Sequence, residues 1–182
     1  MKIPKNAKRV FKGVMFEVWQ WAQAMFDGTT QTFEMVKRPD TVQILATQGD
    51  KLLITEEEQP FHKRGHGLFG GRVDEDEDIL ATAKRELMEE AGMESDDWEL
   101  WKSYEPVIKM DWTIYFYIAR NCRKVSEPKL ESGEKIKLVE VSFEEMIDIF
   151  LKDTYWQGQL NADLLRMKLA GKLEDFKKLL FK

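Results

Sequence analysis

Three glutamates, Glu86, Glu89 and Glu90, stand at i, i+3 and i+4 within Gly71–Met93, GRVDEDEDILATAKRELMEEAGM. In a helix, that spacing gathers three carboxylates on one face. Like charges so placed oppose helix formation by roughly 0.2–0.5 kcal/mol per pair. A multivalent cation among them makes the arrangement tolerable. Hard divalent ions such as Mg²⁺ take oxygen ligands and keep waters that a substrate phosphate can replace. A solvated acidic helix face is the alternative for such a cluster taken alone.

The surrounding residues supply the element that would position these acids. From about Ile79 to Ala91 the pattern is helical, with Leu80, Ala83, Leu87 and Ala91 forming an apolar stripe beside the carboxylates. Gly92 suits the C′ position, where the backbone turns left-handed. The glycine pair Gly70-Gly71 and an acidic loop ending at Glu77 and Asp78 lead into the helix.

Taken together, Gly71, Glu77, Arg85-Glu86-Leu87, Glu89-Glu90 and Gly92-Met93 fill every fixed position of the Nudix box. The chain resembles a Nudix hydrolase, most like the ADP-ribose and nucleoside diphosphate sugar hydrolases. The resemblance implies Mg²⁺ (or Mn²⁺) held by Glu86, Glu89, Glu90 and the Gly70 carbonyl. It implies an ion pair between Glu77 and Arg85 that orients the carboxylate face, and a general base in a later loop. Glu134 is the first choice for that base and Glu131 the second, with a charged loop tip as the alternative. Asp76 occupies a position where glycine is frequent in the family.

Around the box, strand patterns alternate with two helical regions, which predicts an α/β protein with a mixed sheet between helices. A Nudix α/β/α sandwich is also what the resemblance implies. Val14–Trp21 and Thr32–Lys37 read as an N-terminal β-hairpin extension around the Asp27-Gly28 turn. The expected organisation is a dimerising extension over 1–38, a catalytic domain over 39–152 and a helical tail over 153–182. By resemblance, Trp19 and Trp21 offer an aromatic face for a nucleobase across a homodimer. Filling an interface or core is the other role for a Trp there. Arg38 has the planar fork that clamps phosphate or carboxylate, or it is simply solvated. Residues 57–69 are expected to be an irregular connection holding His62 and His66, and the resemblance suggests Arg64 in it as a substrate contact.

Strands are expected at 42–47, 52–56, 98–104, 112–119 and 135–141. Ser142 and Glu145 form a capping box for a following helix, and 161–182 reads as short amphipathic helices broken at Gly171. Docking on the chain's own domain or partner is the expected role of that tail, and a membrane surface is the alternative. A net charge of −5 argues against a general DNA or RNA binder. The lone Cys122 permits no internal disulfide, and no apolar run is long enough to span a bilayer, so a soluble cytoplasmic protein is expected. The reaction implied is hydrolysis of the diphosphate linkage of a nucleotide sugar to a nucleoside monophosphate and a sugar phosphate. A nucleoside triphosphate or capped-RNA pyrophosphohydrolase is the alternative enzyme, and a non-catalytic Nudix binding module the alternative class.

Overall fold

The computed structural model describes residues 2–60, 62–152 and 158–182. The chain opens with β1 (Lys8–Lys12), β2 (Glu17–Ala24) and β3 (Thr30–Lys37). β2 and β3 pair antiparallel from Glu17↔Lys37 to Ala24↔Thr30. Their turn uses Gly28 at φ 83 and the Asp27 carboxylate, which accepts from the Thr29 N–H. β1, not anticipated from the sequence, pairs antiparallel with β2 and is exposed along its whole length. Its two lysines suit an edge strand.

β4 (Thr41–Gln48) and β5 (Lys51–Gln59) pair only near their shared turn, from Ala46↔Leu53 to Gln48↔Lys51, and then diverge. β6 (His62–Gly67) runs antiparallel to the far half of β5, with Thr55 opposite Gly67 and Glu57 opposite Gly65. Residues 57–69 are therefore largely a hairpin, not an irregular connection, and both histidines lie in a strand. The segment HKRGHG has little strand propensity of its own, and pairing with β5 overrides that. Beyond β6 the chain crosses to β4, where Ile44 and Val42 N–H groups donate to the carbonyls of Phe69 and Gly71, each at 2.9 Å.

Helix α1 (Ile79–Ala91) leads through β7 (Met93–Glu94), β8 (Asp97–Tyr104), β9 (Met110–Asp111), β10 (Ile114–Arg120), β11 (Arg123–Lys124) and β12 (Lys135–Val141). Helices α2 (Phe143–Phe150), α3 (Gly158–Leu169) and α4 (Leu173–Leu180) follow. The central sheet has the order β12-β5-β4-β10-β8, with β6 added beside β5. Only β4 and β10 are parallel among its pairs, so the sheet is mixed. A second sheet, β1-β2-β3-β9, joins the N-terminal hairpin to the rest through the parallel pairs Val36↔Met110 and Lys37↔Asp111. β7 and β11 form a short separate pair.

Strand alternation divides the core into two layers. Val42, Ile44, Ala46, Leu53, Tyr117 and Ala119 pack against Ala83, Leu87 and Ala91 of α1. Leu45, Leu52, Ile54, Phe116 and Ile118 face the other way, toward Met146 and Phe150 of α2, Leu160 and Leu164 of α3, and Phe176 and Leu180 of α4. This is an α/β/α sandwich, and the described C-terminal helices form part of one of its layers. The Ser142–Glu145 capping box is complete, and Gly171 at φ 67 separates α3 from α4. No described helix is long and apolar enough to cross a membrane.

Candidate active site

Helix α1 is fixed at both ends. Asp78 caps its start by accepting from the Ala81 N–H at 3.0 Å. Gly92 ends it at φ 64, donating to the carbonyls of Leu87 and Met88. A Cβ on Gly92 would come within 2.1 Å of the Ser126 carbonyl oxygen. That tightness arises because Val125 and Ser126 both donate to the Gly92 carbonyl, and Lys129 N–H donates to that of Glu89 at 2.7 Å. The loop leading to β12 is thus fastened to the end of the carboxylate helix. Before the helix, Asp76 sits at φ 65, a left-handed conformation that Asp tolerates better than most side chains.

The acids separate by burial. Glu90 is buried, and its Oε2 accepts from the Gly70 N–H at 2.8 Å. Glu86 lies over Gly71, where an added Cβ would meet its Oε1 at 2.4 Å. Gly70 itself has φ 148, and a Cβ there would strike the Val42 carbonyl oxygen at 2.1 Å. Both glycines are therefore demanded by close approach. The Gly70 carbonyl accepts no hydrogen bond from a described residue, which leaves its lone pairs available. Glu89 points outward with about half of its side chain exposed.

Arg85 organises this face. Its Nε and Nη2 donate to the two oxygens of Glu77 at 3.0 and 3.1 Å, and its Nη1 lies 2.9 Å from Glu89 Oε2 and from Glu86 Oε1. The bidentate contact holds the Glu77 carboxyl down at about 2. Glu86 moves the opposite way, to about 7, because burial outweighs the help from Arg85. Glu90 is raised well above the ordinary carboxylate range by burial, and the charges of Glu86, Glu57 and Glu134 add to the rise. Burial is the larger cause in both, and neighbouring carboxylates add to it. Such a set of oxygen donors, with an open carbonyl beside it, fits a hard divalent cation. Among the described residues no three acid, His or Cys side chains are already closed into a cage. The donors are instead spread between helix and sheet.

Glu134 and Glu131 occupy one tight turn, in which Glu134 N–H donates to the Glu131 carbonyl at 3.0 Å and Glu131 N–H to Glu134 Oε2 at 3.2 Å. Glu131 is exposed, whereas Glu134 is partly buried and its charge reaches both Glu86 and Glu90. Glu57 also reaches Glu90 and was missed in the sequence. The run Glu56-Glu57-Glu58 reads as undifferentiated surface charge until the strand register assigns each residue a face.

The four candidate substrate contacts scatter. Arg38 is partly buried, stacked 4.4 Å from the Trp112 ring centroid and 6.0 Å from that of Phe16. No carboxylate pairs with it among the described residues, and burial and the nearby Arg72 both press on its charge. It lines a cleft of about 610 Å³ with Lys2, Arg9, Lys37, Asp74 and Asp111, where the N-terminal sheet meets the box loop. Arg64 pairs with Glu56 at 3.0 Å, on the face of β5 turned away from α1. Trp19 donates to Glu17 at 2.8 Å and Trp21 to Gln23 at 3.0 Å, and Trp21 leans on Phe33 with ring centroids 6.1 Å apart. These contacts of both tryptophans lie within the N-terminal sheet.

The family model of the NUDIX domain matches residues 37–164. A methanol dehydrogenase activator of Bacillus methanolicus is 26% identical over 147 residues, spanning 78% of this chain and 79% of its own length. A crystal structure of an ADP compounds hydrolase is similar in fold, with a TM-score of 0.72 at 21% identity, covering 92% of this chain and 95% of the other.

Proposed function

The chain belongs to the Nudix family and is a pyrophosphohydrolase of it, and from that premise we propose that it cleaves the diphosphate of an ADP-ribose-like nucleotide sugar. The products are a nucleoside monophosphate and a sugar phosphate. The observation that carries this reading is the pair Glu86 and Glu90, packed on the Gly70-Gly71 backbone and both raised by burial, even though Arg85 reaches Glu86 at 2.9 Å. The likeness to an ADP compounds hydrolase and the cleft around Arg38 support the choice of substrate class.

Glu86, Glu89, Glu90 and the Gly70 carbonyl would hold Mg²⁺ or Mn²⁺. The cation supplies charge neutralisation on the diphosphate and activation of the attacking water. Arg85 keeps the helix acids in place through Glu77. Glu134 accepts the proton of the attacking water, favoured over Glu131 by its partial burial and by its charge reaching the box acids. Arg38, stacked and without a carboxylate, offers its fork to a substrate phosphate. Trp19 and Trp21 face a nucleobase only if a second copy brings its own site to them, so we place a homodimer on the extension formed by residues 1–38. The acidic net charge favours no DNA partner, and the lone buried thiol of Cys122, raised to about 11 by burial, fits the cytoplasm.

A release assay over ADP-ribose, UDP-glucose, deoxynucleoside triphosphates and dinucleoside polyphosphates, with Mg²⁺ or Mn²⁺, tests this. Expected is turnover of ADP-ribose above the rest; a preference for triphosphates or capped RNA moves the substrate class. The likeness to a methanol dehydrogenase activator favours a second reading, in which the chain regulates a partner dehydrogenase. Methanol oxidation by such an enzyme, faster in the presence of this chain while the panel shows no turnover, would replace the first reading with that one.

A further inference from the structure

The three consecutive glutamates of β5 do not share an environment. Leu53 lies on the α1 side of the sheet, so Thr55 and Glu57 lie on that side too, while Glu56 and Glu58 face the other way. The partners agree. Glu56 is met by Arg64 at 3.0 Å and Glu58 by Lys135 at 3.5 Å. Glu57 instead lies over β6, where a Cβ on Gly67 would come within 2.3 Å of its Oε1 and 2.9 Å of the Thr55 hydroxyl. A glycine at 67 thus makes room for this carboxylate. On its other flank Glu57 is opposite Ile136 of β12, which packs on the α1-side core two residues beyond Glu134. Glu57 thus lies on the same side of the sheet as α1, with its Oε1 accepting from the Thr55 hydroxyl at 3.4 Å.

We propose that Glu57 is a further cation-facing carboxylate of this site, gripping from the sheet what the box glutamates grip from the helix. The proposal rests on the divalent-dependent reading given above. Its physical basis is reach: ligands from one helix cover one side of an ion, and hard cations take six or more oxygens. The field of Glu57 at the Glu90 carboxyl agrees with that placement. Whether in direct contact or through a water, a partner of this kind is worth about 10- to 100-fold in metal affinity.

Calorimetric titration of Mn²⁺ into the substrate-free full chain tests it, with wild type, Glu57→Gln and Glu58→Gln compared. Expected is a loss of about 10- to 100-fold in affinity for Glu57→Gln and less than about twofold for the solvent-screened Glu58→Gln. Wild-type affinity in Glu57→Gln overturns the proposal, as does an equal loss in Glu58→Gln, which would make the effect one of general charge. If Glu57→Gln does not fold, Glu57→Asp decides, since it keeps the charge and shortens the reach; unchanged affinity there overturns the proposal. A wild type that binds no Mn²⁺ overturns the parent reading as well, so the two failures are distinguishable.

Discussion

In α1, Ala83 and Leu87 have no accessible surface, and with Ala91 they pack into the core of the sheet. In the N-terminal sheet, Val14 and Phe26 are fully exposed, and Val10, Phe11, Met15 and Phe16 are each exposed by two fifths or more. Both regions are rich in apolar side chains, yet only one has a surface to close on within the chain. Exposed apolar clusters are a feature of binding faces when they form one contiguous patch. The contrast teaches that α1 is closed by packing within one copy of the chain, whereas the aromatic half leaves open the surface on which a homodimer was proposed above.

The comparison breaks most sharply at Glu90. Replacing it by Gln should lower turnover by about a thousandfold, ~4 kcal/mol in the barrier. The melting temperature should hold or rise, because a buried, uncompensated carboxyl is removed. Steady-state release of nucleoside monophosphate, with thermal melting alongside, checks this. Near-wild-type turnover would move catalysis away from α1. A Val14→Asp and Phe16→Asp double variant addresses the other half. It should shift the chain from dimer to monomer in light scattering and raise KM by about tenfold, ~1.4 kcal/mol, while leaving Mn²⁺ affinity unchanged.

pH separates the two regions by sign. Burial raises Glu86 from 4.5 to about 7 and shifts Glu90 in the same direction, so the folded protein binds more protons than the unfolded chain in that window. The metal-free protein should therefore lose stability as pH rises from about 5 to 8, by several degrees of melting temperature, and saturating Mg²⁺ should restore it. Glu17 behaves oppositely. Burial works against it, but hydrogen bonds from Trp19 and Arg9 hold it below 4.5, so its contribution is lost only as pH falls through the acid range. A melting temperature independent of pH between 5 and 8 would remove the unbalanced charge from the site. The smallest effect is expected for Arg9→Ala. Its exposed pair with Glu17, at 2.6 Å, should be worth less than about 0.5 kcal/mol in urea unfolding.

The sequence was most legible where chemistry and local geometry coincide. Helix α1 begins and ends where its cap residues Asp78 and Gly92 put it, and Arg85 meets Glu77. The Ser142 capping box and the strand 135–141 were equally readable, because each is specified by neighbours in sequence. β6 was not, since its six residues are held by β5 and not by their own preferences. Nor was Glu57, whose face depends on a register that only the assembled sheet defines. The separation of Arg64 from the box acids follows from the same parity. What local rules could not supply was side: which surface of a strand a residue shows once its partners are in place.

The fastening of the late loop to the end of α1 has one more consequence. Val125, Ser126 and Lys129 are bound to that helix terminus, and β12 starts at Lys135, so only a leash of five residues, 130–134, can change length without disturbing either anchor. Insertions or deletions there would slide Glu134 nearer to or farther from Glu86 and Glu90 while those acids stay put. The length of this leash thus sets how far the turn holding Glu131 and Glu134 stands from the end of α1.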